Sequence, residues 1–278
     1  MSVLTIARLT FREASRRWVL WVALLLGVAF LAIYALGFHE IQKDIEGSMR
    51  NMNPLAAKEM QSFFLIAGLY VVNFLTVMMT VLTSVDTLSG EIASGTIQTI
   101  VSKPMQRWEV VIGKWLGFAG MLTMYLLLMA GGVMAVVFLR SGYQAPHALA
   151  ALGLMLLNVL LLLSVSLLGG ASLSTLSNGV LVFGLYGIAF IGGWVEQFGA
   201  FLKNQTAMNI GIFCSLVLPS EAIWRRASFL MESPLVSAMG VSPFASSSVP
   251  SPIMIVYAIL YAAAALALAV RQLYRRDL

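Results

Sequence analysis

DTLSGEIASGTIQTIVSKPMQRWEVVIGK, Asp86 to Lys114, is the only sizeable charged insertion between two hydrophobic runs long enough to cross a bilayer. Its chemistry is that of short helices joined by breaks. Gly95 can end one helix in a left-handed conformation, and Thr96 offers a hydroxyl to cap the next. Pro104 suits the first turn of a third. The middle piece places Ile97, Ile100 and Val101 at i, i+3 and i+4, so it presents one apolar face on the water side of the membrane. Another protein is the expected occupant of that face.

The runs on either side set the class. Of 278 residues, 60% are hydrophobic and only 10% charged, against roughly a quarter charged in soluble domains, and the mean hydropathy is +0.90. A hydrocarbon core of about 30 Å needs roughly 20 apolar residues in helix. Trp18–Phe38, Phe63–Val85, Trp115–Leu139, Leu149–Leu168, the shorter Gly-rich Val180–Val195 and Ile253–Val270 supply six such runs. They lack the alternation of barrel strands. The fold class expected is all-α: a polytopic membrane protein with six transmembrane helices, forming one domain over 1–278.

Outside the spans, Met1 to Arg17 carries Leu4, Ala7, Phe11 and Ala14 at helical spacing, with Arg8, Arg12 and Arg16 on another face, as an interfacial helix does. A cleaved signal peptide would have an apolar core of about 7 to 15 residues. Trp18–Phe38 is longer and has no small-x-small cleavage site, so it is kept as the first span. His39–Gln61 reads as a polar loop. The connector at 196–252 contains an apolar piece, Ala207–Leu218, too short to cross, which reads as re-entrant or interfacial. It ends in a Pro219 break followed by a new amphipathic helix.

Six spans put both termini on one side. Of the 17 Lys and Arg, ten lie on that side: four in Arg8–Arg17, three in Lys103–Lys114 and three in Arg271–Arg276. The seven others lie opposite. The positive-inside rule therefore predicts a multi-pass protein of the cell (cytoplasmic, inner) membrane, with both termini and the 86–114 region cytoplasmic. The net charge of +5 reads as this asymmetry and not as a nucleic-acid surface.

The missing chemistry narrows the function. Gly113-Lys114 is followed by Trp, so no phosphate-binding loop forms and no ATP hydrolysis is expected from this chain. The six apolar runs hold no ionisable residue of the kind an ion-coupled secondary transporter needs. His39 and His147 lack partners at metal spacing, and one cysteine, Cys214, permits neither a disulfide framework nor a metal cluster; no metal site is expected. The methionines of the spans read as adaptable filler, since no His or Cys accompanies them as in a copper path. Asn73 and Asn158 are the polar residues placed deepest in spans. They read either as interhelical hydrogen-bonding residues or as contacts along a substrate pathway.

Glu91, Gly95-Thr96, Pro104, Arg107 and Gly113-Lys114 together resemble the pattern between the second and third spans of the permease subunits of ABC-2-type ATP-binding-cassette transporters. The interfacial helix, six spans and long connector before the last span extend the resemblance over the whole chain. Gln98 stands where many relatives carry Glu. The resemblance implies a permease of an ATP-driven exporter, with two permease chains (homodimer or heterodimer) in the bilayer and two cytosolic ATPase subunits carrying ATP and Mg. No cofactor is implied in this chain. The family's coupling helix maps onto Thr96–Ser102, and the coupling residues onto Glu91, Gly95, Thr96, Ile97, Ile100, Val101, Pro104, Arg107 and Lys114. The competing readings are a membrane anchor that docks a cytosolic partner without transport, a secondary transporter, and an intramembrane enzyme.

Overall fold

A computed structural model describes residues 3–48, 54–93, 106–232 and 248–275. Among the described residues nine helices follow one another, without a strand: α1 (Val3–Arg16), α2 (Trp18–Ser48), α3 (Pro54–Ala93), α4 (Arg107–Ser141), α5 (Ala148–Ser172), α6 (Thr175–Phe201), α7 (Gln205–Val217), α8 (Ser220–Met231) and α9 (Ile253–Arg275). Six of them, α2 to α6 and α9, are long and apolar enough to cross a membrane. The all-α polytopic fold expected from the apolar runs is the fold observed. α1 and the last turn of α9 both meet the start of α4 at one end of the bundle, called here the terminal end.

Burial ranks the spans. In α3 and α5, 61% and 56% of the apolar window is buried, against 6% in α2 and 17% in α9, so α3 and α5 are the central pair. The lipid is as apolar as leucine, so packing and interhelical hydrogen bonds must join them. Thr76, Thr80 and Ser84 donate to carbonyls four residues back at 2.6–2.7 Å, which satisfies their hydroxyls inside α3. Ser166 Oγ lies 2.8 Å from Ser84 Oγ, placed to donate to it, and Asn158 Nδ2 donates to Asn73 Oδ1 at 3.2 Å. Asn178 of α6 donates to the Val85 and Ser166 carbonyls, tying α6 to both central helices.

The helices outrun the apolar runs. α3 has 40 residues, about 60 Å and roughly twice the hydrocarbon thickness. It takes in Asp86 and Glu91, so the charged insertion begins as a continuation of the second span. The expected polar loop at His39–Gln61 is mostly helix, because α2 continues to Ser48 and α3 starts at Pro54, a residue suited to a first helical turn. The fifth span is also longer than Val180–Val195. Ser174 caps it by accepting from Ser177 N at 3.4 Å, and its glycines continue the helix, as glycine commonly does within membranes.

α1 buries Ile6, Thr10 and Ala14, while Leu4 is exposed. The cause lies in α4. A Cβ at Gly113 would collide with Ile6, and one at Gly117 with the Ala7 carbonyl and Thr10. Two glycines four apart thus let the α1 backbone sit directly on α4.

Candidate functional site

At the terminal end, α3 and α4 leave the bundle on either side of the 94–105 segment. Lys114 is 4% exposed; its ammonium forms an ion pair with Glu91 Oε1 and donates to the Thr87 carbonyl at 3.4 Å. Both contacts cross from α4 to the last turns of α3. Arg107 Nη1 donates to the carbonyls of Leu273 and Tyr274 at 2.8 and 3.2 Å. Those carbonyls belong to the last turn of α9, where a cation satisfies groups the helix cannot. Lys114 is thus the cation that α4 turns toward Glu91 of α3. Gln106 and Glu109 close a reciprocal capping box at the start of α4. Gly95, Thr96, Ile97, Ile100, Val101 and Pro104, with the rest of the coupling helix, lie outside the described residues.

Between α3 and α6, on the same half of the bundle, an open groove of about 710 Å³ is lined by Val81, Leu82 and Val85 from α3 and by Leu176, Val180 and Phe183 from α6. Its polar end is closed by Thr175, which donates to Asp86 Oδ1 at 3.0 Å. Asn73 and Asn158 do not reach this groove. Both are buried, and each faces the other across the α3–α5 seam.

The opposite end holds chemistry that the sequence reading left in a loop. α7 turns back along α6: Ala207 lies on Gly199, Gly211 on Glu196 and Cys214 on Gly192. It stops after about 20 Å, and α8 departs at 106° around Pro219. The connector is therefore a sharply bent helical hairpin. Tyr257 and Tyr261 of α9 donate to the Leu216 and Val217 carbonyls at 2.6 and 3.0 Å, satisfying the broken end of α7. Arg225 of α8 is 2% exposed. Its Nη2 donates to Glu196 Oε2 at 2.7 Å and to Ser215 Oγ at 3.4 Å, and its Nη1 donates to the Ser248 carbonyl at 3.4 Å. Ser248 Oγ donates to Glu196 Oε1 at 2.6 Å. One guanidinium thus joins α6, α7, α8 and the approach to α9. Glu221, one turn before Arg225, is 5% exposed. α8 lies outside the six spans, and burial pushes the Glu221 carboxyl up to about 7, against a smaller opposing pull from Arg225.

Charge spacing alone gives Glu221 and Arg225 as an exposed i, i+4 pair. They share a polar face with Ser228 at helical spacing, which reads as solvated; no signal in the sequence marks its burial.

The model of one protein family, described as ABC-2 family transporter protein, matches residues 4–278. The chain belongs to that family. No curated protein matches it. As an ABC-2 family protein it is a multi-pass membrane component of an ABC transporter, and the family's membrane component is distinct from the ATPase subunits it works with. In this ABC-2 protein the ion pair and the α9 contact flank the segment between the second and third spans, whereas the Glu196–Arg225 cluster secures the hairpin before the last.

Proposed function

We propose that the chain is the permease subunit of an ATP-driven exporter, working as a dimer in the cytoplasmic membrane with both termini cytoplasmic. Two cytosolic ATPases, which carry ATP and Mg, dock on the 94–105 segment. The observation that carries this reading is the anchoring of both flanks of that segment. Glu91 and Lys114 lock α3 to α4, and Arg107 holds α4 to the end of α9. A displacement imposed on the segment by a partner would pass to three spanning helices instead of being lost in a loop. Ile97, Ile100 and Val101 supply the apolar docking face.

Ile97→Asp and Ile100→Asp test it in proteoliposomes containing the permease and its ATPase. A charge on a dry contact costs several kcal/mol. The permease should insert normally while the ATPase detaches or hydrolyses ATP without transport; normal transport by both variants would overturn the assignment. Impermeant-maleimide labelling of single cysteines at Asn51, Ser102 and Ser246, in a Cys214→Ser background, checks orientation. Labelling of Ser102 from outside would reverse it.

The cargo route lies between the two permease copies and suits amphipathic or largely apolar molecules, a reading supported by the open apolar groove between α3 and α6. Stimulation of the ATPase by a hydrophilic ion or sugar alone, or full activity from a single permease copy, would sink it.

A further inference from the structure

Beside the Glu196–Arg225 pair is a cavity of about 20 Å³, room for about one water molecule. Ile66 and Tyr70 of α3, Trp194 and Gln197 of α6, and Trp224 and Ser228 of α8 line it, and Glu221 contributes the carboxyl. Gly193 makes the space: a Cβ there would collide with the Glu221 side chain. Glu221 makes no hydrogen bond or ion pair with the described residues, although it is 5% exposed. The nearest cation is committed elsewhere, because Arg225 gives its donors to Glu196, Ser215 and Ser248.

We propose that Glu221 is a proton-binding site: its carboxyl holds a proton while the α7–α8 hairpin is seated against α3 and α6, and releases it to water when the hairpin lifts. Among the described residues, the cavity and the pair beside it hold two carboxyls, Glu196 and Glu221, and the Arg225 guanidinium, a group of three that is neutral only when one carboxyl carries a proton. Arg225 and the Ser248 hydroxyl both donate to Glu196. Glu221 accepts from no donor among the described residues, so only the smaller pull of Arg225 would offset the burial of an ionised form. The other groups facing this region offer no substitute. Tyr70 of α3 and Tyr186 of α6 are neutral phenols, α5 has no titratable side chain, α7 offers Cys214 and α9 offers Tyr257 and Tyr261, and Arg226 turns away to the Pro250 carbonyl at 3.2 Å. The inference stands on the hairpin's own chemistry and does not depend on the direction of transport or on the cargo.

The linkage has a definite sign. The seated carboxyl is pushed up from 4.5 to about 7, while a lifted, hydrated one returns to the ordinary value of about 4.3. The seated state therefore binds the proton more tightly. Acid favours seating, and seating weakens as pH rises from about 4.3 through about 7, by roughly a hundredfold or more in the seated-to-lifted ratio.

Infrared spectra of the purified full chain in lipid nanodiscs read the proton directly. The wild type should show a protonated carboxylic C=O stretch at pH 6 that fades toward pH 8.5 and is missing from Glu221→Gln, whose neutral amide mimics the protonated state and should assemble. Absence of the band from the wild type at pH 6, as when a small cation neutralises the site, or its persistence in Glu221→Gln, would overturn the proposal. Cys214, packed on Gly192, reports the seating. The ratio of wild-type to Glu221→Gln maleimide labelling cancels the thiol's own pH dependence. It should rise several-fold between pH 6 and 8.5, and a flat ratio would refute the link between proton and hairpin.

Discussion

The two ends of the bundle each bury a cation against a carboxylate, and they do so to different effect. At the terminal end Lys114 meets Glu91, one charge against one, and the pair joins two spanning helices where they leave the bundle. At the other end Arg225 meets Glu196 while Glu221 stands by, so the charges are two against one and the elements joined are a hairpin, the end of α6 and the approach to α9. A balanced pair with little room makes a rigid joint. An unbalanced one beside a water-sized cavity retains a group whose charge depends on its surroundings. The difference suits an end that transmits a displacement and an end that opens.

Removing the cations breaks this comparison most sharply. Arg225→Met leaves the buried Glu196 without its counter-charge and should cost about 3–5 kcal/mol, read as a large fall in thermal unfolding temperature in detergent. Adding Glu196→Gln should recover most of the loss, since a buried pair replaced by neutral groups is close to isoenergetic. A loss under about 1 kcal/mol from Arg225→Met would mean that water reaches the pair, where exposed ion pairs contribute little.

Lys114→Met strands only one carboxylate, and the Glu91 side chain is 18% exposed, so it can draw solvent. A cost near the lower limit, about 3 kcal/mol, is expected. Exchanging the charges by Glu91→Lys with Lys114→Glu should restore part of it. If the exchange is no better than either single change, the Thr87 carbonyl, and not Glu91, is what holds Lys114.

The apolar runs made the spans legible, because nothing but a membrane helix accounts for six of them. The limits of the helices were less legible. Hydropathy falls at Val85 and Phe38, but the backbone hydrogen bonding of α3 and α2 continues into polar residues that are adequate helix formers. Glu91, Lys114 and Arg107 could be singled out by the resemblance of the 86–114 stretch to the family's pattern, yet their partners could not. Pairing depends on which face of α4 meets α3, and Gly113 and Gly117 set that by admitting α1 to the other side. The Glu196–Arg225 pair was illegible for a different reason. Its members are 29 residues apart, and counting them as loop charges assumes a solvated connector, whereas α7 folds back along α6.

Between the two charged ends, the centre is joined by neutral groups, so a substitution there should matter less. Asn158→Leu removes the hydrogen bond to Asn73. Such bonds between membrane helices are worth about 0.6 kcal/mol on average and at most about 1.7. A fall in thermal unfolding temperature matching that range is expected, with ATPase stimulation unchanged. Loss of cargo-stimulated ATPase activity with intact stability would instead place the pair on the cargo route.

The smallest effect is expected at Arg107, and it separates anchoring from stability. Its guanidinium donates to the Leu273 and Tyr274 carbonyls at the C-terminal turn of α9, where a cation near the surface is worth about 0.3–1 kcal/mol. Unlike Lys114 it is half-exposed, and Arg107→Gln keeps a donor at the site, so global unfolding should hardly change. The local opening of α9 should change instead. Hydrogen exchange at the last-turn amides of α9 should accelerate about two- to fivefold, the factor corresponding to that free energy, while amides at the middle of α9 stay protected. The wild-type pattern would mean that α9 is held by packing alone. Arg107 would then not carry movement of the 94–105 segment into the last span, and transmission would rest on Glu91 and Lys114.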